Sequence, residues 1–209
     1  MLDVFEHFCF IDFMKYMSCL TSIFAIIILM FFEACTPSEN IDEIYNQLND
    51  NQAKVIYKID GKEFYTSQSI FSGEVNVSDQ LLSVTLADQF QNQTIISFGG
   101  DKWYSPLPSK KEIFADNQVN AGVKMGKLVD REKMVGEGYM MSEGSVTLIE
   151  FSKDKIVLKI YGKVGKYSDF QQPSEYYNVE GTVVCRKPLF RLANITEKDL
   201  FSGLKTSTR

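Results

Sequence analysis

The sequence predicts an all-β chain: an antiparallel β-sandwich or open barrel, with one short N-terminal helix behind a signal peptide. Three observations predict it. From Ala53 onward apolar residues recur at every second position, the period of strands with one buried face. Turn signals interrupt that pattern about every ten residues and divide it into roughly eight to ten short strands. Only the stretch from Ile41 to Asn49 carries a helical period.

The chain opens on an apolar leader. Residues 19–32 read CLTSIFAIIILMFF, an uncharged run closed by Glu33-Ala34-Cys35. At about 14 residues it falls short of the roughly 20 that cross a ~30 Å hydrocarbon core, and it suits the apolar middle of a secretory signal. Lys15 is its positive flank and Ala34 the small residue before the cut. Asp3, Glu6 and Asp12 are wrong for the positive opening of such a signal, so translation is expected to start at Met14 or Met17.

Ala34-Cys35, followed by Thr36-Pro37-Ser38, resembles the lipobox of bacterial lipoproteins. It departs from that pattern at Phe32, where Leu is usual, and at Glu33, where a small neutral residue is usual. The resemblance implies that the Cys35 thiol receives a diacylglyceryl group, that residues 1–34 are cut away, and that the new N-terminus is acylated. Several acyl chains, at about 0.8 kcal/mol per CH₂, give lasting attachment where a single chain binds reversibly. In that family an Asp directly after the Cys favours the inner membrane. Thr36 in that place implies the outer membrane, with the periplasmic or surface face left open. A plain signal peptide, or an uncleaved anchor with an incidental Cys35, is the competing reading.

Charge and residue usage exclude several functions. The 209 residues hold 22 Lys plus Arg, 27 Asp plus Glu and one His, a net charge of −5. Taking away Lys15 and the four acids Asp3, Glu6, Asp12 and Glu33 leaves 21 cations against 23 anions, close to neutral. That balance lacks the clustered cations that nucleic acid demands, so no nucleic-acid partner is expected. The single His is His7, inside the segment expected to be removed. The chain from Cys35 onward therefore has no imidazole for Ser-His-Asp or Cys-His catalysis, and none for a His-ligated metal. Of the four Cys, Cys9 and Cys19 are removed and Cys35 lipidated, which leaves Cys185 without a disulfide partner. Cys185 shares strand parity with Val179 and Val183 and is expected to face the core. Catalysis by two carboxylates remains open, with Asp101, Glu150 and Glu180 as candidates that no spacing signature singles out. There is no calcium loop of the D-x-[DN]-x-[DN]-G type. Gly99-Gly100-Asp101 lacks the glycine spacing and the Lys-Ser/Thr ending of a phosphate loop. No metal or other cofactor is expected.

The elements come in this order. Thr36 to Asn40 is a short polar tether. Asn40 is placed to cap a helix in which Ile41, Ile44, Tyr45 and Leu48 form one apolar stripe, with Glu43 three residues after the cap. Ala53, Val55, Tyr57 and Ile59 alternate with Lys54, Ile56 and Lys58. Asp60-Gly61 then turns the chain into Lys62 to Tyr65, a type I′ hairpin signal. Leu82, Val84 and Leu86 form the next face, and Gln93 to Phe98 another, ended by Gly99-Gly100. After a proline-containing loop, Trp103 to Lys111, comes a weaker strand from Gly136 to Met141. Gly144 to Ser152 turns through Lys153-Asp154 into Lys155 to Val164, with Ile156, Leu158, Ile160 and Val164 facing in and Lys155, Lys159 and Lys163 facing out. Tyr176 to Lys187 closes the series at Pro188, and 196–209 is a tail, polar apart from Leu200, Phe201 and Leu204, and expected to be loosely docked or frayed.

Signal, lipobox cysteine, short tether, the early Ile59 to Phe64 hairpin (IDGKEF) and the late GSVTL and YNVEGTV strands together resemble the small, mostly uncharacterised β-sandwich lipoproteins of Bacteroidetes-type bacteria. The resemblance implies a signal peptide at 1–34, a lipidated tether and short helix at 35–52, a β-sandwich domain at 53–195 and a polar tail at 196–209. It implies a fold and a location, and no activity.

Trp103, the only Trp, stands beside Tyr104 in the proline-containing loop, with Lys110 and Lys111 close behind. An aromatic pair next to two cations is a candidate patch for an anionic glycan or an acidic envelope protein. The alternative is that Trp103 caps the core. The expected function is a monomeric, lipid-anchored binding or structural module of the cell envelope. The alternative function is a carboxylate-dependent, glycosidase-like envelope hydrolase.

Overall fold

In the computed structural model, which describes residues 40–114, 121–166, 173 and 175–201, the alternating stretches become eleven strands. Cys35 and the expected leader lie outside the described residues. The strands are β1 (Gln52–Ile59), β2 (Lys62–Glu63), β3 (Phe71–Ser78), β4 (Leu81–Asp88), β5 (Gln93–Gly99) and β6 (Ser109–Ile113). They continue as β7 (Ala121–Asp130), β8 (Val135–Phe151), β9 (Lys155–Lys166), β10 (Tyr176–Arg186) and β11 (Leu189–Ala193). Two short helices, α1 (Ile41–Gln47) and α2 (Glu197–Phe201), flank them.

Strand order decides the architecture. Neighbours run β3-β4-β5-β7-β8-β9-β10-β1, each pair antiparallel, and β1 meets β3 again through Ala53 and Phe71. The sheet thus closes into an eight-stranded antiparallel barrel, and the expectation of a sandwich or open barrel is corrected. A single buried face per strand, which is all that alternation encodes, serves either architecture. What closes this one is the pairing of β1 with β10 from Gln52↔Arg186 to Ile59↔Val179, which removes the edges an open sheet would expose.

The Asp60-Gly61 turn has φ of 47° and 76°, the double positive φ of a type I′ turn, and it sets Lys58 opposite Glu63 and Ile59 opposite Lys62. The two strands expected at 136–141 and 144–152 are instead one strand, β8. It bends at register shifts between Met141 and Glu143 and between Leu148 and Glu150. At the first bend Gly144 lies opposite Gly162 on β9. A β-carbon on Gly144 would come within 2.2 Å of the Tyr161 carbonyl, and one on Gly162 within 2.1 Å of the Glu143 carbonyl. Only residues without side chains let the two backbones approach so closely. β8 is long enough to pair with two strands in succession, β7 over its first part and β6 over its second.

Inward side chains from all eight strands form one cluster, including Tyr57, Phe71, Leu82, Phe98, Leu148, Ile156, Leu158 and Val183. Tyr57 lies against Gly181, where a β-carbon would fall 2.2 Å from its ring. Its hydroxyl donates to Thr94 Oγ1 at 3.0 Å, because Thr94 spends its own hydrogen on the Lys124 carbonyl at 3.1 Å. Cys185 is buried in the same cluster, and burial pushes its thiol up to about 12.

Each end of the barrel is closed by rings. Phe64 and Tyr65, which follow β2, pack at one end, where Phe64 meets Tyr139 edge-on and Tyr65 donates to the Gln93 carbonyl at 2.6 Å. At the other, Trp103 meets Phe151 at 4.9 Å between ring centres, and α2 brings Leu200 and Phe201 onto the same cluster. The expectation of a loose tail is corrected for the described part of it. Thr196 and Asp199 exchange hydrogen bonds, Asp199 N–H to Thr196 Oγ1 at 3.3 Å and Thr196 N–H to Asp199 Oδ2 at 3.1 Å. That reciprocal cap starts α2, and burial of Leu200 holds it. The chain also does not stop at Pro188: β11 pairs parallel to β3 along Glu74 to Ser78, beyond the point where β1 leaves it.

Candidate functional site

β7 reads AGVKMGKLVD. Ala121, Val123 and Met125 are buried in the barrel, so Gly122, Lys124, Gly126 and Leu128 take the outward positions. Register carries the pattern across the neighbours. Gly126 sits opposite Gly138 and Leu128 opposite Gly136 on β8; Gln93, Ile95 and Ser97 of β5 flank Gly126, Lys124 and Gly122. Four glycines thus fall on one outer face. Over three of them, Gly126, Gly136 and Gly138, lies a largely apolar hollow of about 620 Å³, lined mainly by β5, β7 and β8, within the size range of small-molecule sites. A second hollow of about 510 Å³ adjoins it, sharing Ile95 and Lys124 and reaching Phe114 and Met140.

Backbone geometry does not require two of these glycines. A β-carbon on Gly126 would find its nearest neighbour, the Glu137 carbonyl, at 3.8 Å, and one on Gly136 the Lys127 carbonyl at 3.4 Å, both ordinary contacts. Neither has a positive φ. An alanine would fit at either position, and what it would take up is the hollow itself.

Charge gathers at one end. Lys127 and Lys166 line that end of the larger hollow with a single carboxylate, Glu137, and Lys124 stands midway along the outward row. Lys127 pairs with Glu137 at 3.2 Å and lies over the Phe64 ring at 4.7 Å, while Tyr139 donates to Glu137 Oε1 at 2.8 Å. Burial alone would push the Glu137 carboxyl up, but the hydrogen bonds from Tyr139 and Lys127 together outweigh it and hold the group below its ordinary range. Burial, with the hydrogen bond to Glu137 second, pushes the Tyr139 phenol up to about 12.

The residues singled out in the sequence lie elsewhere. Trp103 is 1% exposed, donates from Nε1 to the Ser78 carbonyl at 3.0 Å and meets Tyr104 edge-on at 5.4 Å. Its ring is part of the core and offers no face for stacking. Tyr104 is half-buried against it. Lys110 and Lys111 are neighbours on β6, so they project to opposite sides of the strand; Lys110 pairs with Glu112 at 2.8 Å and the Lys111 ammonium lies beside Gly100. The four do not meet in one open patch. Among the carboxylate candidates, Glu150 pairs with Lys155 at 3.3 Å, Glu180 with Lys58 at 3.6 Å, and Asp101 is exposed in the loop after β5. Among the described residues no group of three or more His, Cys, Asp or Glu side chains is placed to hold a metal, and no helix is long and apolar enough to cross a membrane.

The glycine face was missed in reading the sequence, although its signal is present: Gly122 and Gly126, then Gly136 and Gly138, recur at even spacings inside strands and so share one face. No family model, curated protein or solved structure matches the chain, so the chemistry of the groove rests on its own geometry.

Proposed function

We propose that this chain is a lipid-anchored binding module of the bacterial cell envelope, held at the outer membrane by acyl chains on Cys35, with the groove over β7 as its binding surface. The observation that carries the binding reading is the glycine floor: an outward face whose side chains are absent where the backbone would accept them. The lipobox resemblance of Ala34-Cys35 and the apolar run before it support the anchor. The filled barrel interior supports an outer rather than an inner site. The hydrolase reading gains no observation in its favour, since Glu150 and Glu180 are each engaged with a lysine on the strand surface.

Growth of the producing cell with an alkyne-tagged fatty acid tests the anchor. Wild type is expected to carry the tag and to begin at Cys35, and Cys35→Ser to lose the tag. Label on both, or a native N-terminus upstream of Cys35, rejects the lipoprotein reading.

A further inference from the structure

We infer that the groove takes a single-chain amphiphile with an anionic head, a long-chain fatty carboxylate laid along β7; this rests on the groove being the binding surface. Length comes first. From Gly122 to Leu128 the outward row spans six residues, about 20 Å at roughly 3.3 Å per residue. One acyl chain accounts for half of a ~30 Å hydrocarbon core, about 15 Å, which leaves space for a head group.

The walls come second. Ile95 and Met140 stand on either side of the outward row, 38% and 47% exposed, and Leu128 lies at one end of it. Lys124 stands between Ile95 and Met140 in register, and the glycines at 122, 126, 136 and 138 leave the face low on either side of it, with carbon from Ile95, Met140 and Leu128 along the edges. Phe114 is the exposed apolar residue at the far end. Tyr139, the only ring among the described residues lining the larger hollow, is buried, so the stacking platform a sugar would use is missing there.

Charge comes third. At the Leu128 end the lining sets Lys127 and Lys166 against the one carboxylate of Glu137. Its balance is positive at the end of an apolar trough, the complement of an anionic head on an apolar tail.

Photolabelling of the full chain, kept in solution by an amphipathic polymer, tests this with two diazirine probes, a hexadecanoate and the matching hexadecanol. The expected result is label on β5, β7 and β8 peptides, at least tenfold more from the acid than from the alcohol at equal concentration. Gly126→Leu is expected to abolish that label. Ile95→Glu, an exposed position that lines the trough without filling it, is expected to cut the acid's label at least fivefold; it serves where Gly126→Leu fails to fold. Equal labelling of the groove by acid and alcohol overturns the anionic head and leaves the groove as the binding surface. Label elsewhere from both probes, or label that survives both variants, overturns the groove together with the inference.

Discussion

Two outer faces of the same barrel handle outward apolar residues in opposite ways. On the face formed by β9 and β10, Val157 and Val184 point outward and are nonetheless fully buried, because α1 lies across β10 and Leu48 is buried with it. The cover is clamped by charge: the Tyr45 ring is flanked by Lys155 and Arg186, each at 5.2 Å, and Lys155 also bonds Asp42 at 2.8 Å. On the face formed by β5, β7 and β8, Ile95 and Met140 point outward, remain exposed, and stand beside glycines. One face is finished by the chain's own helix; the other is left bare and hollowed. An uncovered apolar face of this kind is where a ligand is to be sought.

The two uses of glycine give the largest effect by which the comparison can be broken. Gly144, at the β8 bend, has φ of 127° and no space for a β-carbon, whereas Gly126, on the bare face, has both an ordinary backbone and the space. Gly144→Ala is expected to cost about 3 kcal/mol or more, a fall in Tm of roughly 6–12 °C for a domain of this size. Gly126→Ala is expected to leave Tm unchanged or raise it by a degree or two, since the unfolded chain loses freedom at no native cost. Thermal melting of the two variants side by side decides it. Equal losses would mean that the bare face needs its glycines for folding, and the groove would lose its main support.

The covered face gives the next effect. Leu48→Ala truncates the buried side chain that directly follows α1, and is expected to cost about 2–3 kcal/mol. The loss should appear in chemical denaturation as a shift in midpoint without a change in slope. A loss below about 0.5 kcal/mol would show that the helix is an ornament of the barrel rather than its cover.

How much of this was legible in the sequence depends on what alternation can encode. The inward sets Val55-Tyr57, Leu82-Val84-Leu86 and Ile156-Leu158-Ile160 were plain, because each is a local period. So was the Asp60-Gly61 turn, a two-residue conformational demand. Closure was not, since it depends on β1 pairing with β10 across some 130 residues, and no local pattern records that. β3 and β7 were missed because Gly73, Gly122 and Gly126 interrupt their apolar runs, and β11 because Pro188 reads as an ending. α2 was legible in principle from Thr196-x-x-Asp199, but at five residues it is too short for any helical period to appear. The site suffered the same bias: a Trp beside two lysines attracts attention, whereas a binding face made by omitting side chains is written only as glycines at even spacing.

The smallest effect lies where the groove meets the barrel mouth. Glu137 is held below its ordinary carboxylate range by Tyr139 and Lys127 against the cost of its burial. A carboxyl lowered on folding adds stability above its unfolded value near 4.5, and that stability is lost as pH falls through the lower, folded value. Removing the charge with Glu137→Gln should therefore leave wild type and variant alike at strongly acid pH and separate them above about pH 4.5. The group is only partly buried, so solvent screening keeps the difference under about 1 kcal/mol. Denaturation midpoints of the two proteins from pH 3 to pH 7 supply the measurement. A difference that instead grows as the pH falls would mean that the Tyr139–Glu137–Lys127 contact does not hold in solution. The end of the groove would then carry a bare carboxylate beside its lysines, and the preference for an anionic head should weaken with it.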